Sequence, residues 1–386
     1  MSRYLKKAIE KDALASQKIA FIGGPRQVGK TTLVKSMVAP ENYFSYDNAS
    51  FRKLWSRQPE NLFNTCVAGP IALDEIHKDR IWKRKLKGLY DLDPKQTYLV
   101  TGSARLDLYR KGSDSLLGRY IPYRLYPLTV AETENPPAPG DVLINKKPVI
   151  PWRDLLDLGG FPEPLFQGNK AKAMRWSRLR MDRLILEDSR DILAISDLNR
   201  FRLLTDLMPE KVGSPFSINS LREDVGASYS TVRSWVMATE ALYFGFFIKP
   251  YSKSVKRSLI AEPKFYLFDI LSLPENSGQR KENLAAIHLK KACDYFTDTA
   301  QGHFELYYLR DKEKREVDFL LLKNKKPWIL VECKSSEKTP DKNLQYFHEV
   351  IKPEKSFQLI DDNDYKKAYR DGITVMSYEK FFSGWV

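Results

Sequence analysis

The sequence contains no apolar run long enough to cross a bilayer, which argues against an integral membrane protein. Its first residues, "MSRYLKKAIEKDALASQK", are charged and patterned like an amphipathic helix, without the apolar core of a secretory signal. Cysteine is scarce: Cys66, Cys293 and Cys333 have no metal-ligand spacing and make no disulfide framework. This suits a reducing, cytoplasmic setting and leaves no membrane partner to expect. No internal repeat is visible, which excludes a solenoid or propeller. Acidic residues are outnumbered, 49 Asp and Glu against 63 Lys and Arg, for a net charge of +14. An anionic partner is therefore expected, DNA above all.

At 386 residues the chain is long for one domain, so two or three are expected. Strand-like and helix-like segments alternate from "KIAFIGG" to about residue 130, as in a parallel α/β sheet. "NPPAPGD", residues Asn135 to Asp141, marks a boundary or long loop. Helical segments, a small unit with a hairpin, and a second α/β unit follow. The expected class is multidomain α/β.

"GPRQVGKT", Gly24 to Thr31, matches the G-x-x-x-x-G-K-[ST] phosphate loop at every fixed position, after a strand and before a helix. Gly24, Pro25, Arg26, Gln27, Val28, Gly29, Lys30, Thr31 and Thr32 are the expected ATP-binding set. Its backbone N–H groups converge on phosphate oxygens, Lys30 reaches the β- and γ-phosphates, and Thr31 ligates Mg²⁺. "PIALDEIHK" is a buried strand ending in Asp74 and Glu75. Such carboxylates face the crevice beside the loop: Asp74 holds Mg²⁺ and Glu75 serves as general base. His77 is expected as a surface or helix-start residue. "TYLVTGSA" ends in Thr101 and Ser103, with Ser103 either a γ-phosphate or water contact or a strand-end cap. Arg119, after Gly118, is either an arginine finger for a neighbouring subunit of a homo-oligomer or a surface ion pair; Arg105 is the other candidate.

"SINSLREDVGASYSTVRSWVMATEALYFGFF" reads as a helix-turn-helix, with Gly226 ending one helix and Ser228 or Ser230 capping the next. Ser230, Thr231, Arg233 and Ser234 fall on its exposed face. The following hairpin has a basic tip (Lys253, Lys256, Arg257), the outline of a wing that meets either DNA phosphates or solvent. "HKDRIWKRKLKGLY" carries six Lys and Arg between Lys78 and Lys87, either a solvated helix face or a nucleic-acid path with Trp82 as a stacking surface.

In "EVDFLLLKNKKPWILVECK", Asp318, Glu332 and Lys334 form D-x13-E-x-K on two adjacent strands, the spacing of nucleases with a restriction-endonuclease fold. Antiparallel pairing brings the carboxylates together, where they hold Mg²⁺ and Lys334 acts in catalysis, or where Lys334 neutralises an inert core. Glu282 lies one turn before the helical stripe of Ala285, Leu289, Ala292 and Phe296, a costly position unless it is paired with a cation or metal.

The motifs "GPRQVGKTTL", "LDEIHK", "VTGSARLDL", "SLLGRY", "YPLTVAE", "GGFPEP" and "VDFLLL…VECK" occur in the order seen in a large group of prokaryotic AAA-type ATPases, which the whole chain resembles. The resemblance implies an ATP-binding P-loop domain over 1–134, a connector over 135–195, a winged helix-turn-helix over 196–272 and a restriction-endonuclease-like domain over 273–386. It also places Glu282 with Asp318 and Glu332 in the nuclease metal site. Ser103 stands where the wider group commonly has Asn. The expected function is an ATPase acting on branched, replication or repair DNA; the alternative is a nucleotide-switched protein–protein assembly module.

Overall fold

The protein is described here by a computed structural model covering residues 3–102, 116–144, 146–188, 197–252, 262–362 and 364–386. It divides into two compact units, Met1–Tyr126 with Thr133–Asn135, and Pro127–Glu132 with Pro136–Val386.

The first unit is built on five short strands: β1 (Ile19–Gly23), β2 (Tyr43–Ser45), β3 (Ile71–Asp74), β4 (Tyr98–Thr101) and β5 (Tyr120–Arg124). They are ordered β2-β3-β4-β1-β5, and every neighbouring pair is parallel. β1, β3 and β4 are apolar runs buried almost throughout, as a sheet covered on both faces requires. In register, Asp74 lies opposite Thr101 and Gly23 opposite Arg124, so strand ends gather at one edge of the sheet.

The basic segment after β3 forms the helix Trp82–Leu92. Its apolar stripe, Trp82, Leu86 and Leu89, is buried, and the Trp82 ring packs edge-on against Phe21 with centroids 5.5 Å apart. Trp82 is therefore a core residue and no stacking surface, while Lys83, Arg84 and Lys87 occupy the outer, more exposed side. His77, expected as a surface or helix-start residue, lies in the short 3-10 helix Ile76–Lys78 and is only 5% exposed.

The second unit contains a helical part and an eight-stranded sheet, ordered β12-β13-β11-β10-β9-β8-β6-β7. Its strands are β6 (Gly245–Pro250), β7 (Lys264–Leu267), β8 (Phe304–Arg310), β9 (Glu316–Lys323), β10 (Lys326–Cys333), β11 (Lys355–Ile360), β12 (Lys366–Ala368) and β13 (Ile373–Ser377). Helices Ile218–Val225 and Tyr229–Ala241 form the expected helix-turn-helix. Gly226 ends the first in a left-handed conformation (φ 65°), and the Ser228 hydroxyl caps the second by accepting from Thr231 N–H. Leu221, Val225, Val232, Val236 and Leu242 are buried, whereas Ser230, Arg233 and Ser234 are exposed.

The hairpin expected as the outline of a wing also joins the C-terminal sheet. β6 pairs parallel with β8 through Lys249 and Pro250, and antiparallel with β7. Strands from both sides of residues 272 and 273 thus share one sheet. The tip residues Lys253, Lys256 and Arg257 lie outside the described residues.

Two of the quoted motifs meet inside this unit. Leu128 N–H, in "YPLTVAE", donates to the Gly160 carbonyl of "GGFPEP" at 2.7 Å. A Cβ on Gly160 would fall 2.6 Å from the Leu128 oxygen, so glycine is required there by contact. Nearby, Lys291 and Glu132 form a salt bridge at 2.5 Å with both side chains fully buried. Lys291 also donates to the Thr129 hydroxyl at 2.7 Å. Removing one partner strands the other charge in the core. Lys291→Met is thus expected to destabilise the protein by about 3–5 kcal/mol, read from denaturant unfolding.

Candidate functional site: a phosphate loop and a carboxylate cluster

The phosphate loop joins the end of β1 to the helix Lys30–Lys35. Gln27 (φ 66°) and Gly29 (φ 100°) have left-handed backbones that turn the chain back on itself. Gly24 is fixed by close approach, since a Cβ there would lie 2.2 Å from the Leu125 carbonyl oxygen. Lys30, 6% exposed, curls over the loop and donates to the Gly24 and Pro25 carbonyls, each at 2.8 Å. Arg3 braces the loop by donating to the Val28 carbonyl at 2.6 Å. Thr31 and Thr32 lie in the first turn of the helix.

Asp74 is the centre of this site. Its Oδ2 accepts from Thr31 Oγ1 at 2.9 Å and from the Tyr43 hydroxyl at 2.7 Å, and its Oδ1 accepts from Thr101 Oγ1. Three hydroxyl donors from three elements stabilise a carboxylate that is only 3% exposed. Burial, then the hydrogen bond to Asp74, raises the Tyr43 pKa above the ordinary tyrosine value, so the phenol stays a donor.

Glu75 follows with a left-handed backbone (φ 59°), uncommon for a residue with a side chain. Its N–H donates to the Thr101 carbonyl at 3.1 Å. Burial raises its pKa, Lys30 and Lys78 pull it back, and Asp74 raises it further. The carboxylate lies 3.6 Å from His77 Nε2 and 3.8 Å from Lys78 Nζ. A part-buried carboxylate with a raised pKa, beside the strand-end aspartate, suits a proton acceptor.

Arg119 precedes β5 at the amino-terminal edge of the sheet, opposite the phosphate loop, with Nε 3.2 Å from Asp91. It does not join the loop within one chain. Ser103 and Arg105 lie outside the described residues.

In the second unit, Glu282, Asp318, Glu332 and Lys334 do converge. Glu282 Oε1 accepts from the Tyr266 hydroxyl at 2.7 Å. Asp318 Oδ2 accepts from Cys333 N–H at 3.0 Å, and Glu332 Oε2 from Asp318 N–H at 3.3 Å. Lys334 Nζ is 2.7 Å from Glu332 and 3.1 Å from Asp341. A residue that sequence reasoning missed, Lys264 of β7, enters among the acids: 2.7 Å from Glu316, 3.3 Å from Asp318 and 3.4 Å from Glu282. Burial and then the neighbouring Asp318 charge push the Glu282 pKa up to about 7, against the pull of Lys264.

This donor set does not fit a metal cage as arranged, because the carboxylates are already turned to ammonium groups, a phenol and backbone N–H groups. Among the described residues, no group of three His, Cys, Asp or Glu is arranged to hold a metal ion. The residues expected to hold Mg²⁺, Glu282, Asp318 and Glu332, with Lys334, form an ion-paired cluster. No helix among the described residues is long and apolar enough to cross a membrane.

Comparison with known families agrees with the first site. Residues 16–134 match a family model described as an AAA domain. This stretch, which holds the phosphate loop and the strand ending in Asp74, is similar to AAA domains. Residues 151–271 and 277–381 match two domains of unknown function, DUF8612 and DUF4143. A solved structure of a signal transduction ATPase with numerous domains (STAND), a protein with a tetratricopeptide repeat sensor from Pyrococcus horikoshii, is 13% identical over 75% of this chain and 44% of its own, with a TM-score of 0.24. This chain thus spans less than half of that protein, and a TM-score so low carries no argument. No curated protein matches.

The AAA domain's residues fit a nucleoside triphosphate with Mg²⁺. The turned loop, the Lys30 ammonium, the Thr31 hydroxyl and the Asp74 carboxylate stand together at one strand edge, with the donors that pairing needs. Tyr43 and Arg3 lacked a sequence signal because their partners are distant along the chain, whereas Thr101 was legible as a polar strand end. Tyr43→Phe is expected to weaken Mg²⁺ binding to the ATP complex about tenfold, in the range for outer-shell partners of a metal ligand, with metal-free ATP binding unchanged. Mn²⁺ titration by electron paramagnetic resonance checks this.

Proposed function

We propose that the chain is a Mg²⁺-dependent ATPase that hydrolyses ATP at the phosphate loop. The observation that carries this reading is the Thr31–Asp74 contact at 2.9 Å beside the Lys30 ammonium. The loop N–H groups and Lys30 bind and orient the triphosphate. Bound Mg²⁺ supplies charge neutralisation at the β- and γ-phosphates, with Thr31 and Asp74 as its protein-side partners. Glu75 accepts a proton from the water that attacks the γ-phosphorus; the bond to the β–γ bridging oxygen breaks, and ADP and inorganic phosphate leave. In a homo-oligomer, Arg119 of one copy serves a neighbour's γ-phosphate, a role in keeping with its position away from its own loop. Ser103 remains the proposed γ-phosphate or water contact.

The finer reading is an ATPase directed to DNA. The charge of +14 supports it, as do the exposed Ser230, Arg233 and Ser234 of the helix-turn-helix. A second reading, a nucleotide-switched protein–protein assembly with a non-cutting recognition domain, is favoured by the Lys264 contacts among the C-terminal acids.

Lys30→Ala is expected to abolish ATP binding, and Glu75→Gln to bind ATP but trap it unhydrolysed. Equilibrium binding and phosphate release check both, and normal turnover in Glu75→Gln removes it as the base. ATP hydrolysis measured over single-stranded, duplex and branched DNA separates the two readings. Stimulation supports the DNA-directed one, and none by any DNA favours the assembly module.

A further inference from the structure

We propose that Lys264 is a built-in cation that stands in the place of a divalent metal and closes the C-terminal carboxylate cluster. This inference does not rest on the ATPase reading. The motif D-x13-E-x-K is complete, and its strands pair as such a motif requires. What differs is the occupant. The Lys264 side chain is 1% exposed, and its ammonium bridges Glu316 and Asp318 of β9 and Glu282 of the helix Gly278–Asp298. An ammonium so deeply buried is tolerated only when carboxylates surround it. Three carboxylates within 3.4 Å pair the Lys264 ammonium from several sides.

The other oxygens of the cluster, apart from Glu282 Oε2, are also engaged. Lys334 neutralises Glu332, Arg310 lies 2.8 Å from Glu316, and Tyr266, Cys333 N–H and Asp318 N–H take the other acceptors. Mg²⁺ needs near-octahedral oxygens at about 2.0–2.1 Å and gives up its water reluctantly. To enter, it has to displace the Lys264 ammonium from three carboxylates at once. The backbone closes the cluster further, since a Cβ on Gly213 would lie 3.0 Å from Glu282 Oε2. The same contacts hold β7, and with it the hairpin, to β9 and the long helix. The hairpin is thus fixed by the charges that in a nuclease would hold the metal.

The test uses the full chain, without nucleotide, with Mn²⁺ as the probe. Thermal unfolding in chelator and in Mn²⁺ is compared for wild type, Asp318→Asn, Lys264→Met and Lys264→Met with Asp318→Asn. The inference expects a wild-type Tm whose response to Mn²⁺ is the same as that of Asp318→Asn. Lys264→Met is expected to melt lower in chelator and to recover in Mn²⁺, and the double variant to lose that recovery. Wild-type stabilisation by Mn²⁺ that Asp318→Asn abolishes overturns it, as does a Lys264→Met protein with no Mn²⁺ response. If Lys264→Met does not fold, Mn²⁺ electron paramagnetic resonance on wild type and Asp318→Asn decides alone. Equal weak spectra support the closed cluster, and a bound signal lost in Asp318→Asn refutes it.

Discussion

The first unit depends on one carboxylate being held still. Asp74 ends a strand whose other residues are all buried, and its oxygens are fixed by Thr31, Tyr43 and Thr101. Those donors come from the helix after the phosphate loop and from the strands on either side of β3. The contact between Thr31 and Asp74 therefore ties together the loop, three strands and the Glu75 carboxylate that follows. Each donor is a neutral hydroxyl, which keeps the acid's charge available to a cation. The left-handed turn at Glu75 and its hydrogen bond to Thr101 aim the next carboxylate from the same anchor.

The second unit solves the opposite problem. Its charges are held by other charges. Lys264 sits among three acids, Lys334 between Glu332 and Asp341, and Lys291 against Glu132. Buried pairs add little net stability but penalise any arrangement that separates them. They fix which strands and helices meet in an eight-stranded sheet whose apolar core alone is permissive. In such a cluster the ammonium groups compete with a hydrated divalent ion for the carboxylates.

Much of this was legible in the sequence. The phosphate loop, the strand ending in Asp74 and Glu75, and the helix-turn-helix with its Gly226 stop are local patterns, and local patterns survive without knowledge of partners. The convergence of Asp318, Glu332 and Lys334 followed from the period of the strands, and the place of Glu282 beside them from the family resemblance. Lys264 was not legible, because a lysine at the start of an apolar strand looks like a solvated end until the sheet places it beside β9. The hairpin read as a wing for the same reason: its β6–β8 pairing joins residues some sixty apart in the chain. Trp82 was ambiguous within a basic run, and the Phe21 contact decides it in favour of the core.

The central claim is that water, activated beside Asp74, attacks the terminal phosphorus of ATP bound on the loop. Hydrolysis in heavy-oxygen water, followed by mass analysis of the products, tests it most directly. The account predicts one solvent oxygen in each released inorganic phosphate and none in ADP. Label in ADP, or no phosphate release with Mg²⁺ and ATP present, would contradict it.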